Sequence, residues 1–256
     1  MKEWVIVMRN TINVLGIPVD NINMKEALNK VELFLEKGSN NDNNSVKTIY
    51  TPNSEIMMAA QRDKDLKEIL SSGSMLIADG AGVVLAAKIL GYKLPERVAG
   101  YDLVENIFSS FGKKGLRVFL LGSKPGIAEA AAISVISKYK GIEISGYHHG
   151  YFSKEETNSI INKINESRTD LLLVGFGAPK QEKWIHEYKD ILKVKVCIGV
   201  GGSLDGFAGN VPRAPEFFQK HNLEWLYRLY REPRRFWRML DIPKFLLLAL
   251  KSRLIR

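Results

Sequence analysis

The 256-residue sequence contains a single cysteine, Cys197, and only four histidines. With one cysteine no disulfide framework can form, so a reducing compartment is the natural environment of this chain. Cys197 lies in the apolar run VKVCIGV and is expected to be a small core residue. His148 and His149 are neighbours, but no further His or Cys stands at metal-ligand spacing. The sequence therefore predicts no metal centre.

Long hydrophobic runs are missing as well. The longest uninterrupted apolar run near the C-terminus is Phe245–Leu250, whereas a helix that spans a bilayer needs about 20 residues. The first ten residues, MKEWVIVMRN, break their apolar run with Arg9 and Asn10 and contain no small-residue cleavage site. A signal peptide is therefore not expected. We predict a cytoplasmic protein and leave a membrane surface open as its partner.

Two nucleotide-binding motifs are absent. No GxGxxG follows the first predicted strand, which weakens the hypothesis of a nicotinamide oxidoreductase. No GxxxxGKS or GxxxxGKT is present, which excludes a P-loop nucleotidase.

Asp63-Lys64-Asp65 has the DxD pattern of metal-dependent transferases. It opens the amphipathic segment DLKEIL away from any strand end, so helix capping explains it better.

Apolar runs that alternate with amphipathic stretches are what the sequence does have. Predicted strands are Asn13–Ile17, Val46–Tyr50, Met75–Ala78, Leu116–Leu121, Ile142–Tyr147, Asp170–Val174 and Val194–Val200. Predicted helices include Met24–Glu36, Glu55–Ala60, Ala81–Leu90, Leu103–Phe111, Ile127–Tyr139, Lys154–Asn165 and Lys180–Tyr188. This alternation predicts an α/β fold: a Rossmann-like, mainly parallel sheet with helices on both faces. We expect residues 1–212 to form this domain.

Positive charge is concentrated beyond residue 212. The formal net charge is +9, and residues 222–256 hold nine Lys and Arg against three Asp and Glu, which gives +6. We interpret residues 213–256 as a helical appendage whose arginines, interleaved with aromatic residues, suit a bilayer interface or a phosphate. Nucleic acid and a merely solvated helix face are the competing explanations. Arg228, Arg231, Arg235 and Arg238 recur at i, i+3, i+7 and i+10, as on one helix face.

The segment Leu171–Trp184, LLLVGFGAPKQEKW, carries the clearest ligand signal. A buried strand, a turn at Gly177 and Pro179 at the first helical position together aim backbone N–H groups at one point. Such a point attracts anions, phosphates above all. The helix brings Gln181 to the same place, so the segment can hold a phosphate and contact what is attached to it.

Polar residues stand at the predicted carboxyl ends of several strands, where open α/β sheets bind ligands. Asp79 is the only carboxylate placed directly between a buried strand and a glycine turn. It is either a catalytic group or the N-cap of the next helix. Tight turns are the alternative for most of the others, and a core position is the alternative for Tyr151. The candidates are Thr51, Asn53, Asp79, Arg97, Gly122, Ser123, Tyr151, Gly177, Pro179, Gln181, Gly201, Gly202 and Asp205.

Seven ordered blocks of the sequence resemble the WecG/TagA/CpsF family of glycosyltransferases, and its TagA branch in particular. The resemblance runs from Asn13 to about Pro215, and the arginine-rich segment follows as in that branch. The residues before Asn13 and the polar loop Ser39–Ser45 depart from the pattern without touching a matched block. The blocks are NVLGIPV from Asn13, TPN from Thr51, ADGAG from Ala78, RVAG from Arg97, GAPKQEKW from Gly177, GVGGSLD from Gly199 and RAP from Arg213.

The resemblance implies transfer of N-acetylmannosamine from UDP-N-acetylmannosamine to the 4-hydroxyl of N-acetylglucosamine on undecaprenyl diphosphate. The implied reaction is inverting and needs neither metal nor cofactor. Asp79 would be the base that deprotonates the acceptor hydroxyl. Thr51 and Asn53 would position the sugars, while Gln181 and Arg97 would contact the donor diphosphate. Tyr151 and Asp205 would bind the uridine, beside the glycine turns of Gly122, Ser123, Gly177, Pro179, Gly201 and Gly202.

Arg228, Arg235 and Arg238 match the appendage arginines that close over the site and neutralise the lipid diphosphate. The implied partners are a UDP-sugar donor, the lipid-linked acceptor and the inner face of the cell membrane, with no nucleic acid. A homo-oligomer is left open. Related enzymes use other sugars, so a different UDP-sugar donor is the main alternative. A nicotinamide oxidoreductase and a nucleic-acid-binding module are the alternatives from other classes.

Overall fold

A computed structural model of the chain describes residues 9–37, 45–221, 223–233 and 236–255. Eight strands lie in these ranges: β1 (Thr11–Val14), β2 (Ile17–Asp20), β3 (Lys47–Tyr50), β4 (Met75–Leu76), β5 (Arg117–Gly122), β6 (Glu143–His148), β7 (Leu171–Gly175) and β8 (Val196–Gly199). Six of them form a sheet of order β4-β3-β8-β7-β5-β6, in which every neighbouring pair is parallel. The predicted α/β fold with a parallel sheet is therefore confirmed.

Helices connect these strands and continue beyond the last one. In the body of the chain they are α1 (Met24–Lys37), α2 (Ser54–Arg62), α3 (Lys64–Ser72), α4 (Ala81–Ile89), α5 (Gly100–Phe111), α6 (Ile127–Lys138), α7 (Thr157–Glu166), α8 (Lys180–Tyr188) and α9 (Ser203–Phe207), with a 3₁₀ turn over Gly112–Lys114. The C-terminal helices are α10 (Glu216–Lys220), α11 (Glu224–Arg231), α12 (Phe236–Met239) and α13 (Asp241–Ile255).

The sheet separates two hydrophobic layers. On one face α2, α3, α4, α7 and α8 bury their apolar residues. On the other face α1, α5, α6 and α9 do the same. Because both faces are covered, central strands consist of continuous apolar runs rather than alternating ones. All five residues of β7 are buried, and Cys197 of β8 lies in the core as predicted.

The chain leaves β5 and β7 in opposite directions along the sheet. From β5 it runs through α6 to the edge strand β6, and from β7 it runs through α8 to β8. Such a switch point opens a crevice between the carboxyl ends of the two strands. The fold thus places the turns after β5 and β7 where a ligand can enter.

Two short antiparallel strands, β1 and β2, occupy the region where the sequence predicted one strand, Asn13–Ile17. Leu15 and Gly16 form the turn between them, both with positive φ, as two-residue hairpin turns require. Asp20 at the end of β2 is buried and accepts hydrogen bonds from Arg9, Lys30 and the Leu76 backbone N–H. The hairpin is therefore fixed to β4 by a buried, fully paired carboxylate.

The last helix, α13, packs against α2 and α4 rather than standing apart. Phe245 and Ala249 are completely buried in the same hydrophobic layer as those helices. The opposite side of α13 exposes Leu247, Leu250 and Leu254. Within the described ranges no helix is both long and apolar enough to cross a membrane. The predicted division of the chain at residue 212 stays a prediction, but α13 shares the core of the body.

Candidate active site

Asp79 follows β4 at the carboxyl edge of the sheet, and its backbone N–H donates to the Pro52 carbonyl at 3.3 Å. The N-cap of the next helix, α4, is Gly80, with φ at +100° and no side-chain cap hydrogen bond. Asp79 therefore does not serve as the cap that the sequence offered as its alternative role. The Gly100 backbone N–H donates to its carboxylate instead.

The electrostatic surroundings of Asp79 combine burial with charges of both signs. Burial raises the pKa of Asp79 from 3.8 to about 6, and the negative charge of Glu224 acts in the same direction. The guanidinium groups of Arg228 and Arg97 lower the pKa and limit that rise. A carboxylate with a pKa near 6 is mostly ionised at pH 7 and is a stronger base than an ordinary aspartate. This is the behaviour required of a general base.

Two helices of the C-terminal segment reach the rim of this site. Glu224, in the first turn of α11, accepts a hydrogen bond from Arg97 Nη1 at 2.6 Å, and both side chains are mostly buried. Arg228 lies one helical turn further on, so the same face of α11 brings it towards Asp79. Arg238 pairs with Glu55 of α2 at 3.0 Å. Arg235 lies outside the described residues.

Sequence reasoning missed Glu224. Its only signal was the spacing of four residues before Arg228 in an otherwise cationic segment. Because its partner Arg97 lies 127 residues earlier in the chain, the ion pair could not be read from local pattern.

Thr51 and Asn53, which follow β3, make hydrogen bonds within the protein. The Thr51 hydroxyl donates to the Gly199 carbonyl at 3.2 Å, so it connects the end of β3 to the turn after β8. Asn53 is the N-cap of α2, and its Oδ1 accepts from the Ile56 N–H at 3.1 Å. Asn53 thus has the local turn-forming role that the sequence offered as its alternative. The cap uses Oδ1 and does not need the amide NH₂ group. The roles of both residues towards sugars stay predictions.

The Gly177–Gln181 turn differs from its prediction in two details. Helix α8 begins at Lys180, so that Pro179 is the N-cap rather than the first helical residue. Gln181 is only 2% exposed, and both ends of its amide are engaged inside the protein. Its Oε1 accepts from the Gly201 N–H at 2.9 Å, and its Nε2 donates to Glu182 at 2.8 Å. Contact between Gln181 and a donor phosphate stays a prediction.

The turns after β5 and β8 are held together at the switch point. Gly122 has φ at +147°, and a Cβ there would lie 2.4 Å from the Gly175 carbonyl oxygen, so only glycine fits. Ser123 donates its hydroxyl to Asp205 Oδ2 at 2.6 Å. Gly202 is the N-cap of α9, the short helix that carries Asp205. These predicted donor-site residues are thus neighbours in space.

The sequence left two roles open for Tyr151, a ligand platform or a core position, and two for Asp63, a metal motif or a helix cap. Tyr151 is 65% exposed, which excludes the core position and leaves its ring free as a platform. Asp63 caps α3 through the Leu66 N–H at 3.0 Å and pairs with Lys183 at 2.7 Å. The capping role predicted for the DxD pattern is confirmed. Among the described residues no group of three His, Cys, Asp or Glu side chains has an arrangement suited to a metal ion.

Asp79 is a carboxylate able to act as a base, at the ligand-binding edge of a parallel α/β sheet, and two arginines act on its pKa. The base can take a proton from a hydroxyl while the arginines stabilise an anionic leaving group. This combination suits transfer of an activated, phosphate-linked group to a hydroxyl.

Comparison with known proteins identifies the class further. Residues 12–256 match the model of the glycosyl transferase WecG/TagA/CpsF family. A protein of Bacillus subtilis (strain 168) is 38% identical over 204 residues, which are 80% of this chain and 79% of the relative. A protein of Staphylococcus aureus (strain MRSA252) is 34% identical over 242 residues, 94% of this chain and 93% of the relative. Both are named N-acetylglucosaminyldiphosphoundecaprenol N-acetyl-beta-D-mannosaminyltransferase.

The chain belongs to the WecG/TagA/CpsF family, and it is a glycosyltransferase. The resemblance carried by the seven sequence blocks is thereby confirmed. Membership of this family also favours the transferase prediction over the oxidoreductase and nucleic-acid-binding alternatives.

Proposed function

We propose that this enzyme transfers N-acetylmannosamine from UDP-N-acetylmannosamine to the 4-hydroxyl of N-acetylglucosamine on undecaprenyl diphosphate. The names of the relatives at 33–39% identity support this acceptor and this sugar. The product is the disaccharide-lipid that begins a wall teichoic acid linkage unit, and UDP is released.

The observation that carries the proposal is the environment of Asp79. In a single displacement, the acceptor oxygen attacks the anomeric carbon as the bond from that carbon to the diphosphate breaks. The hydroxyl proton passes to the Asp79 carboxylate, and the bonding electrons leave with UDP. One displacement inverts the anomeric configuration and needs one base. A partly buried carboxylate with a pKa of about 6 suits that role at neutral pH.

The leaving UDP gains negative charge, which must be stabilised. Arg97 and Arg228 both act electrostatically on the Asp79 region, and guanidinium groups bind phosphate oxygens in a bidentate manner. We infer that they take the part that a divalent cation plays in other transferases, so the reaction is metal-independent. In this proposal Arg238 extends the cationic rim towards the lipid diphosphate, and the same role for Arg235 rests on the sequence resemblance alone.

The donor lies, in this proposal, across the switch point between β5 and β7. Gly122, Ser123 and the turns at Gly177–Pro179 and Gly201–Gly202 form its floor. Tyr151 stacks on the uracil and Asp205 accepts a hydrogen bond from the nucleoside. The exposed ring of Tyr151 and the contact between Ser123 and Asp205 support this placement. Thr51, Asn53 and Gln181 order the part of the site nearer to Asp79.

The C-terminal segment is proposed to lie on the inner face of the cell membrane, where the acceptor resides. It exposes Tyr230 at 81% and Trp237 at 76%, together with one apolar side of α13. Arginines with exposed aromatic residues are typical of helices that lie in a bilayer interface. The enzyme would thus be cytoplasmic and peripheral, with its active site facing the lipid diphosphate.

Asp79→Asn tests the proposal directly. We expect UDP release with a GlcNAc-diphosphate-lipid acceptor to fall at least about 100-fold, because the general base is lost. UDP affinity, measured by calorimetry, should stay close to wild type. Asp65→Asn, an exposed member of the DxD pattern, is the matched control and should remain fully active. Normal turnover by Asp79→Asn would remove Asp79 as the base.

The same assay tests the donor and the metal. The rate should be highest with UDP-N-acetylmannosamine and unchanged by EDTA. A faster reaction with another UDP-sugar would replace the proposed donor. Activity that disappears in EDTA and returns with Mn²⁺ would contradict metal independence.

A further inference from the structure

Glu182 is a buried carboxyl group that the proposed reaction does not use. It lies in the first turn of α8 and is only 1% exposed. One oxygen, Oε1, accepts the hydrogen bond from Gln181 Nε2 at 2.8 Å. The other, Oε2, is buried and makes no hydrogen bond to any described residue. Burial raises the pKa of Glu182 above its usual value, which favours the neutral form.

Such a group costs stability. A buried polar atom without a partner costs about 1–3 kcal/mol, which applies here to Oε2. The other oxygen, Oε1, is the acceptor that the buried Gln181 Nε2 needs. What Glu182 provides is therefore the hydrogen bond to Gln181.

The contact of Glu182 leads through one residue to the donor side of the site. Gln181 uses its Nε2 on Glu182 and its Oε1 on the Gly201 N–H. An amide can be rotated by 180° with little change in shape, which would present its NH₂ to Gly201 in place of the oxygen. Glu182, as an acceptor at Nε2, fixes the orientation in which the oxygen faces Gly201.

The turn that Gln181 holds is one that glycine makes flexible. Gly201 has φ at +53°, and a Cβ on either Gly201 or Gly202 would meet nothing within 4 Å. The turn leads into α9 and to Asp205. On the other side, Thr51 holds it through the Gly199 carbonyl. If the Gln181 hydrogen bond to Gly201 were lost, the turn would keep the Thr51 hydrogen bond to Gly199 and lose the other.

We propose that Glu182 is a positioning residue for donor binding: it orients the Gln181 amide, which fixes the Gly199–Gly202 turn in the conformation that accepts the nucleotide. The proposal rests on the proposed function, since it assigns that turn to the UDP-sugar. Glu182 itself touches neither substrate. Its part in this contact is that of an acceptor oxygen, so glutamine at this position should replace it.

Three substitutions test this role. Glu182→Met removes the acceptor and keeps the volume, Glu182→Asp shortens its reach by one methylene, and Glu182→Gln preserves an acceptor oxygen. Glu187→Met, on the exposed side of the same helix, is the matched control. For Glu182→Met and Glu182→Asp we expect the Kd for UDP and the KM for the donor to rise about tenfold or more. Glu182→Gln and Glu187→Met should stay within about threefold of wild type.

Two further measurements separate positioning from a structural role. The thermal midpoint of Glu182→Met should stay close to that of wild type, because removal of the unpaired Oε2 is offset by loss of the acceptor of Gln181 Nε2. Amide hydrogen exchange in a peptide spanning Gly199–Gly202 should be faster in Glu182→Met but not in Glu187→Met. A purely structural role predicts the reverse: a lower midpoint and an unchanged KM.

The outcomes are distinguishable. If wild type binds UDP and Glu182→Met binds it equally well, the positioning role is wrong and the proposed function stands. If wild type binds no UDP, the proposed donor is wrong and this inference fails with it. If neither Glu182→Met nor Glu182→Asp folds, the role of Glu182 is structural and the proposal is overturned.

Discussion

The sheet edge and the C-terminal segment build the candidate site by different physical means. At the sheet edge, hydrogen bonds of Thr51, Gln181 and Ser123 hold the turns in place. In the C-terminal segment, helices α11, α12 and α13 each make an ion pair with the body. These pairs are Arg97–Glu224, Arg62–Asp241 and Arg238–Glu55. Upstream, Arg213 pairs with Glu105 and Asp102 of α5.

The difference teaches which half of the site is preorganised. Hydrogen bonds to backbone and partly buried groups depend little on salt, whereas ion pairs with an exposed arginine, such as Arg62–Asp241 and Arg238–Glu55, are screened. The donor side is therefore fixed by the fold, and the position of α12 beside α2 depends on charge. Helix α13 does not fit this division, because its buried residues belong to the core. A truncation after Pro215 would strip α13 from that core, so single substitutions are the sharper tests.

The two sides of α13 should differ most in their effect on stability. Phe245→Ala should lower the free energy of unfolding by about 3–5 kcal/mol, since Phe245 is fully buried in the core. Leu247→Ala, on the side that is 65% exposed, should change it by less than about 0.5 kcal/mol. Urea unfolding measures both values. Equal effects of the two substitutions would contradict the burial of one side of α13 in the core.

Asp79→Asn should stabilise the protein at neutral pH, by about 1–3 kcal/mol. The folded pKa of about 6 lies above the unfolded value of 3.8, so wild type loses stability as the pH rises between these values. Asparagine does not ionise and avoids that loss. The gain should vanish below about pH 4, where both forms of wild type are protonated. Thermal unfolding of both proteins from pH 4 to pH 8 tests this, and a gain independent of pH would contradict it.

Arg228→Gln and Glu224→Gln should move the acidic limb of the rate profile in opposite directions. Arg228 lowers the pKa of Asp79, so its removal should move the limb to higher pH. Glu224 raises the pKa of Asp79, so its removal should move the limb to lower pH. Arg228→Gln should also reduce the rate about 10- to 100-fold through loss of leaving-group stabilisation.

The matched control for this pair is Glu216→Gln in α10, because Glu216 is exposed and its ion pair within the described part of the chain is with Lys220, one helical turn away. It should leave the profile unchanged. Shifts of Arg228→Gln and Glu224→Gln in the same direction would show that general loosening of α11, not local charge, sets the profile.

Salt should act on the two halves unequally, which is the smallest effect expected. Raising NaCl from about 0.05 to 0.5 M should speed amide exchange in a peptide spanning α12 severalfold, because Arg238 is exposed and its ion pair with Glu55 is screened. Exchange in the turn at Gly199–Gly202 should change little. Equal responses of both peptides would show that the donor side and the C-terminal helices do not differ in their dependence on charge.

Much of the fold was predictable because buried parallel strands have a strong local signal. Short apolar runs followed by a glycine turn, such as LLLVG of β7, favour a strand that is covered on both faces. The first strand was predicted poorly, because the turn at Leu15-Gly16 hides inside one apolar block. The site residues at strand ends were predictable for a related reason: polar residues that follow buried strands gather at one edge of the sheet.

The sequence alone determined the α/β class, the family and the identity of Asp79 as the carboxylate at a strand end. Those features depend on local pattern and ordered motifs. Only the tertiary structure decided that Glu224 binds Arg97, that Gln181 and Glu182 turn inward, and that α13 completes the core. The Glu224–Arg97 contact joins residues that are distant in the chain. The other two features depend on which face of a helix is covered. Burial and charge proximity are properties of the folded chain, so the pKa of Asp79 and the hydrogen bonds of Gln181 had no local signature.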